Sequence, residues 1–574
     1  ELRKEIIVAF LLRSMGIIQM TLILITAGSA RGQWPTDPAL NLIICDRAGE
    51  QTLAKVAATS DGGCYISWYD HSSGNYDVYL QRLNGNGEIQ WAENGLLISD
   101  HPQESWITDY DLAADLDDCA ILVFNDIRNG SDRDIYAYRI NPAGDFVWGP
   151  DGLTISDNDG FEPDPQVTIT TAGNIVFAWP EDNMAHLRKV TPEGNDYWQD
   201  PSIITITSDY SMWSARVVPA EDDGVILQIQ MATGPNYWDP SYLYMHKFDD
   251  SGEARWGPDG VEVMTTGGIA PYMESDISED GVGGVYSYWY DTRNMVHHAY
   301  AQHVQADGSV SWTINGVLLS TTAGEMQMYP QFVRLPSTED ILVFYRITDP
   351  NQNLAGIGGQ RLNSEGQPQW GDGGVTLVTL SDQDRYNVLA LQQENGAIVL
   401  YKEIPEGVLY SIIKAIRVDG SGTPVWETSP VIMVPTLSEK GRVVADVNEP
   451  GQVIAAWNDK RTDPNGDIYL QNINPDGSFG PYSPSGCDYI PGDCDHNGIP
   501  LELGDVIAMI GMYRGSVEPD YTCNCPPHGS DFAPEADPNG NCIAFELGDV
   551  VTEIGAYRGT TEASGCVDCP GSRR

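Results

Sequence analysis

The sequence predicts an all-β fold: an eight-bladed β-propeller of four-stranded blades, closed by an N-terminal strand and followed by a small helical C-terminal module. Three observations predict it. First, a hairpin of the form Asn/Asp-x-x-Gly-x-x-x-Trp recurs along most of the 574-residue chain, as in Asn84–Trp91 and Asn363–Trp370. Its Gly–Trp pairs are Gly87/Trp91, Gly144/Trp148, Gly194/Trp198, Gly252/Trp256, Gly308/Trp312, Gly366/Trp370 and Gly422/Trp426, and successive copies lie 50 to 58 residues apart. A fixed period of this length marks a repeat architecture. Second, a Gly- or Asp-led apolar stretch begins near residues 62, 118, 173, 224, 283, 340, 396 and 451, giving eight units. Third, the eighth hairpin, Asn474–Gly477, has Pro481 where Trp belongs and lacks the strand that should follow. Trp34 and the apolar alternation after it resemble Trp148 to Ile155, so the N-terminal strand is expected to complete the last unit. Pairing the first and last segments in one sheet removes exposed edges, which an open solenoid does not require.

Residues 1–30 are expected to be an export signal. Arg3, Lys4 and Arg13 precede an apolar run from Gly16 to Ala27, and Gly28-Ser29-Ala30 offers small residues for cleavage. No later stretch approaches 18 uninterrupted apolar residues, so no membrane span is expected. The formal net charge is −51, with 31 Lys and Arg against 82 Asp and Glu. Such a surface repels nucleic acid and anionic lipid, and it suits an extracellular or cell-surface protein.

The propeller is expected to span residues 31–480, each blade having four strands in order. A polar–apolar strand comes first, as in Pro330–Leu335. A continuously apolar second strand follows, as in Gly62–Trp68, Gly283–Trp289 and Gly451–Trp457, and reads as a strand buried on both faces. The third alternates, as in Asp77–Leu83 and Asp467–Ile473, and reads as half-buried. The Gly-x-x-x-Trp hairpin leads to a fourth, as in Gly95–Ile98. Blades three and four have the loosest second and third strands by sequence. Gly supplies the positive φ of the hairpin turn, and Trp lands where a large ring can pack on the next blade. Truncating one such buried Trp costs roughly 3–5 kcal/mol, so a ring of them is expected to dominate cohesion between blades.

Pro481–Gly486 reads as a linker into a Cys-rich module at 487–574. Of ten cysteines, seven (Cys487, Cys494, Cys523, Cys525, Cys542, Cys566 and Cys569) fall in that module, which in an exported chain suggests disulfides. Cys523/Cys525 with Cys566/Cys569 also read as a zinc site, the weaker option given the mismatched spacing. The module is an internal duplication offset by 44 residues, with Glu-Leu-Gly-Asp-Val and Tyr-Arg-Gly in both halves. Asp493, Asp495 and Asn497, and again Asp537, Asn539 and Asn541, place oxygen ligands at alternating positions of a tight loop, as a hard cation such as Ca²⁺ requires. Ile499 and Ile543 offer a backbone carbonyl, and Asp505 and Asp549 close each shell at the start of a short amphipathic helix.

Two loop–helix units with no helix before either loop resemble a type I dockerin domain, and the chain as a whole resembles secreted bacterial propeller-repeat proteins that carry one. The resemblance implies calcium binding and a cohesin-like or cell-surface partner. The chain departs from the dockerin pattern in three places. The closing acid sits at the thirteenth position, with Glu502 or Glu546 as a substitute ligand. Cys542 stands where the first copy has Gly498. Glu-Leu replaces the small hydroxyl pair that meets the cohesin.

Catalytic signatures are sparse. There is no Gly-x-Ser-x-Gly elbow, no His-Glu-x-x-His and no phosphate-cradling loop. His297-His298 reads as a packing feature. Asp126/Arg128, Asp291/Arg293 and Asp459/Arg461 recur after second strands, with Asp70 in the same place and no Arg. A distributed pair is expected to fix the blade rather than to catalyse. The expectation is therefore a secreted non-catalytic scaffold that binds a glycan or protein ligand on one rim. The alternative is a glycoside-hydrolase-type enzyme delivered by its dockerin to a polysaccharide-degrading complex; unrepeated, clustered Asp and Glu on one rim would favour it.

Overall fold

A computed structural model describes residues 33–482 apart from 104–108, 131–132, 200 and 274. The expected export signal, most of the linker, and the C-terminal module with its calcium ligands and seven cysteines lie outside the described residues. Within them, Cys45, Cys64 and Cys119 are buried free thiols.

Thirty-two strands form eight antiparallel sheets of four. Seven sheets use consecutive strands: Gln51–Ser99, Asp111–Ser156, Gln166–Thr207, Met212–Ile269, Ser275–Leu318, Met326–Ser381 and Asp384–Ser438 are blades one to seven. Blade eight takes three strands from Val444–Ile473 and its fourth from Leu42–Cys45. Leu42 lies opposite Leu470 and Cys45 opposite Ile468, so the N-terminal strand closes the ring as expected. An apolar cluster seals that seam by joining Ile44, Ile454 and Leu470 of the last blade to Ala54, Ile66 and Trp68 of the first. Among the described residues the only helical pieces are two single 3-10 turns, Glu221–Asp223 and Arg293–Met295.

The recurring hairpin explains the cohesion. Each indole Nε1 donates to a carbonyl in the hairpin of the next blade: Trp91 to Pro142, Trp148 to Pro192, Trp198 to Asp250 and Trp256 to Ala306. Trp312 donates to Ser364, Trp370 to Gly420 and Trp426 to Pro475. Trp34 donates to Gly85 at 3.0 Å and completes an unbroken cycle of eight. The hairpin glycine lies against the ring it receives: a Cβ built on Gly87 would stand 2.5 Å from Trp34, and one on Gly366 2.6 Å from Trp312. Those glycines have φ of +80° and +73°, so geometry and space both exclude a side chain. Thr191 and Gln305 open two of the hairpins in place of Asn or Asp and make the same turn.

The second strands are buried throughout, as in Cys64–Asp70, Ala120–Asp126, Ile175–Glu181 and Val285–Asp291. They add a second row of fully buried indoles, Trp68, Trp179, Trp289 and Trp457. The third strands depart from the half-buried expectation, since Asp134–Ile140 and Asp467–Ile473 are buried at every position. A neighbouring blade covers each face, so the polar residues of the alternation are enclosed as well. Blades three and four are also not loose. Their second and third strands pair in continuous registers of seven and eight residues, because a ladder of backbone hydrogen bonds does not depend on side-chain identity.

Candidate functional site at the ring axis

Each first strand begins beside the axis, and first strands of adjacent blades touch in most pairs. Where they begin, several carry a bulge. The ladder slips between Thr52 and Lys55, between Met328 and Gln331, and between Tyr386 and Leu389. Leu53, Tyr329 and Asn387 there take φ of 52°, 54° and 52°, and Asp164 ahead of blade three's first strand takes 48°. Positive φ in non-glycine residues is uncommon, and bulges re-aim side chains next to functional sites.

One rung of the first strands carries Lys55, Asp111, Arg216 and Asp276, opposite Ser67, Val123, Gln228 and Tyr288 of the second strands. Asp109, Asp164 and Arg442 lie just before the first strands of their own blades. Arg442 brackets the Asp109 carboxylate at 2.9 and 3.2 Å, and Lys55 Nζ stands 3.1 Å away. Backbone amides tie these acids across blades. Asp109 N donates to Asp164 Oδ1 at 2.7 Å, and Val167 N donates to Asp111 Oδ2 at 3.1 Å.

The environments separate the carboxyls. Burial works against the charge of Asp109, but Lys55 and Arg442 outweigh it and hold that carboxyl well below the ordinary range. Burial raises Asp111 and Asp164, with Lys55 and backbone hydrogen bonds opposing it only in part. Arg216 is held charged against its burial by Asp276, Asp164, Asp111 and Asp109, and its Nε is buried without a hydrogen-bond partner. Beside it opens a small cleft lined by Arg216, Ser275, Asp276, Tyr288, Tyr329 and Gln331.

The recurring Asp-x-Arg pairs lie elsewhere and act as expected. Arg128, Arg293 and Arg461 each hydrogen-bond their Asp and lie 3.5 to 4.3 Å over a third-strand Tyr ring. Trp289 and Trp457 also donate to Asp291 and Asp459. Blade one supplies the missing cation from outside its sheet, with Arg47 3.8 Å from Asp70. Blade three substitutes Glu181 with His186 at 2.9 Å, and blade seven uses Glu403 with Arg385 and Lys414. The aspartates of this row and Glu403 each face a cation, whereas burial lowers the pKa of His186 and disfavours its charged form beside Glu181. His297 and His298 pack against Met328 and Gln327 of blade six.

Blade three holds one further polar knot. Glu162, fully buried, accepts from Ser156, Asn158 and Trp179. Burial pushes its carboxyl up to about 7.

Sequence reasoning by motif missed the axial residues, because none belongs to a repeated motif. Aligning the eight first strands finds them: the rung of Lys55, Asp111, Arg216 and Asp276 carries Gln166, Gln331, Leu389 and Val444 in the other blades. Among the described residues no group of three or more His, Cys, Asp or Glu has the geometry to hold a metal ion.

Fold and site together define a closed eight-bladed propeller with an unrepeated, mixed-charge cleft at its axis. No family model and no curated protein matches the chain. Among solved structures it is similar to the Dos1 propeller at 11% identity, over 74% of this chain and 93% of that one, with a TM-score of 0.41. It is similar to an α-L-arabinofuranosidase from Fusarium graminearum in complex with an iminosugar inhibitor, at 11% identity over 76% and 97% with a TM-score of 0.33. A Hadza microbial sialidase is similar at 13% identity over 70% and 74%, with a TM-score of 0.31. None of these likenesses speaks to what this chain binds.

Proposed function

We propose that the chain is an exported propeller that binds a polyhydroxylated ligand, a glycan, in the axial cleft. The observation that carries this reading is the cleft's lining. Arg216 offers its guanidinium, Asp276 and Gln331 offer acceptors and donors, and Tyr329, 41% exposed, offers a ring face. That combination suits a sugar, which presents hydroxyls at its edge and C–H groups on its faces. Calorimetric titration of glycans into the full chain tests it: binding that Arg216→Gln weakens supports the reading, and no binding by any glycan of a broad panel overturns it.

One observation favours a second reading, glycoside hydrolysis at the same place. Asp109 is held ionised beside Asp111 and Asp164, which burial holds toward the protonated form. Carboxyls whose environments push them apart are what an acid and a base need at one pH. Release of reducing sugar, abolished by Asp109→Asn and by Asp164→Asn, would establish hydrolysis; binding without release leaves the scaffold reading.

The C-terminal module is proposed to tether the ring to a cohesin-like or cell-surface partner through calcium. Asp493, Asp495, Asn497, Ile499 and Asp505, with Asp537, Asn539, Asn541, Ile543 and Asp549, supply its oxygens. Calcium at a hundred times Kd should stabilise the module by about 2.7 kcal/mol. Absence of heat on titrating calcium into the chelator-treated full chain excludes the site.

A further inference from the structure

Blade four exposes aromatic surface beside the axial cleft. Its second and third strands, Val225–Ala232 and Ser241–Phe248, are joined by a loop whose polar groups are used to stiffen it. Thr233 N donates to Pro240 O at 2.9 Å, and Asp239 Oδ2 accepts from Asn236 N and Nδ2. Within that braced turn stand Tyr237, 51% exposed, and Trp238, 81% exposed. Their rings meet edge to face at 4.8 Å, and Tyr237 meets Trp213 in the same way at 5.3 Å. Trp213 sits at the bulge of the strand that carries Arg216, three residues or about 10 Å away. Its indole Nε1, like Arg216 Nε, is buried with no hydrogen-bond partner.

Resting on the glycan reading above, we infer that the ligand is an extended, neutral oligosaccharide. One end lies in the axial cleft against Arg216, and the chain runs outward over Trp213, Tyr237 and Trp238. A free-standing Trp held rigidly at a loop tip loses water favourably only when a flat apolar face covers it, and the C–H face of a sugar ring is such a surface. The charge of −51 repels uronate-rich or sulfated chains at low salt, which selects a neutral polymer.

The test uses the full chain and linear xylo-, gluco- and arabino-oligosaccharides of one to six units, titrated calorimetrically. The expected result for the series that binds is affinity rising about tenfold or more from disaccharide to pentasaccharide. Trp238→Ala should bring the pentasaccharide down to the disaccharide's affinity, while Arg216→Gln weakens every length. The Trp238 ring is largely in water, so an unchanged melting temperature confirms that the variant is folded. Equal affinity at all lengths, or Trp238→Ala binding the pentasaccharide as the wild type does, overturns the inference and leaves the glycan reading standing. No binding at any length overturns the inference, and no binding by any glycan of the broad panel overturns both.

Discussion

Arg442 and Asp109 belong to blades with the whole of blade one between them, yet their side chains meet in two contacts of 2.9 and 3.2 Å. The pair draws the ring's inner rim together where Lys55 also converges on the carboxylate. Asp109→Asn removes the carboxylate on which Lys55 and Arg442 converge. Because the groups are partly exposed, the cost should be modest, about 1 kcal/mol, and smaller in high salt. Burial opposes ionisation of Asp109 but the two cations prevail, so its folded pKa lies below the unfolded value. Its contribution is therefore fully present above the unfolded pKa, begins to fall below about pH 4, and is lost only as pH drops through the much lower folded pKa. The gap between the urea midpoints of wild type and variant should be narrower at pH 3 than at pH 7.

Glu162 behaves in the opposite sense. Its folded pKa, about 7, lies above the unfolded carboxylate value, because burial disfavours the charged form. The native state holds the proton more tightly, so stability is greatest below about pH 4.5 and declines as pH rises to about 7, by at most about 3 kcal/mol. Glu162→Gln should flatten that slope in melting curves taken between pH 4.5 and 8. An unchanged slope would show that another group governs this window.

Ring closure should depend on Trp34 more than on its equivalents nearer the solvent. Trp34 is 2% exposed, and Trp34→Ala should cost about 3–5 kcal/mol. Trp256, whose indole nitrogen bonds Ala306 at an exposed position, should cost less when truncated. Gly87→Ala should approach the Trp34 effect without touching Trp34, since its Cβ would stand 2.5 Å from the indole at a φ of +80°. Denaturant midpoints of the three variants give the ranking directly.

Asp291 is completely buried and holds both Trp289 Nε1 at 3.0 Å and Arg293. Asp291→Ala strands a guanidinium beside an unmet indole N–H and should cost about 3–5 kcal/mol. Removing both charges, as Asp291→Leu with Arg293→Met, should be markedly milder. A double variant as unstable as the single one would show that the backbone fixed by Asp291, and not the stranded charge, carries the energy.

The ring was legible in the sequence because its physics repeats. Gly87 and its counterparts must turn with positive φ, and each must leave room for an indole, so both residues recur at one spacing. Even the closure could be read, since Pro481 lacks the ring that Trp34 supplies. The axial site was hidden for the complementary reason. Lys55, Asp111, Arg216 and Asp276 share a rung but differ in sign, and Tyr329 arrives from a bulge that no turn-forming residue announces. The half-burial read into the third strands failed because alternation records polarity, whereas burial here is decided by the blade on the other side.

The strand that finishes the circle is made first and used last. Leu42–Cys45 leaves the ribosome some four hundred residues before its partner Asp467–Ile473 exists. Until then blade one presents Gly87 without its indole, and the unpaired segment is a ready template for a neighbouring nascent chain. Assembly of this wheel is therefore gated by synthesis of blade eight, and a polypeptide stopped before Asp467–Ile473 leaves its first strand without an intramolecular home.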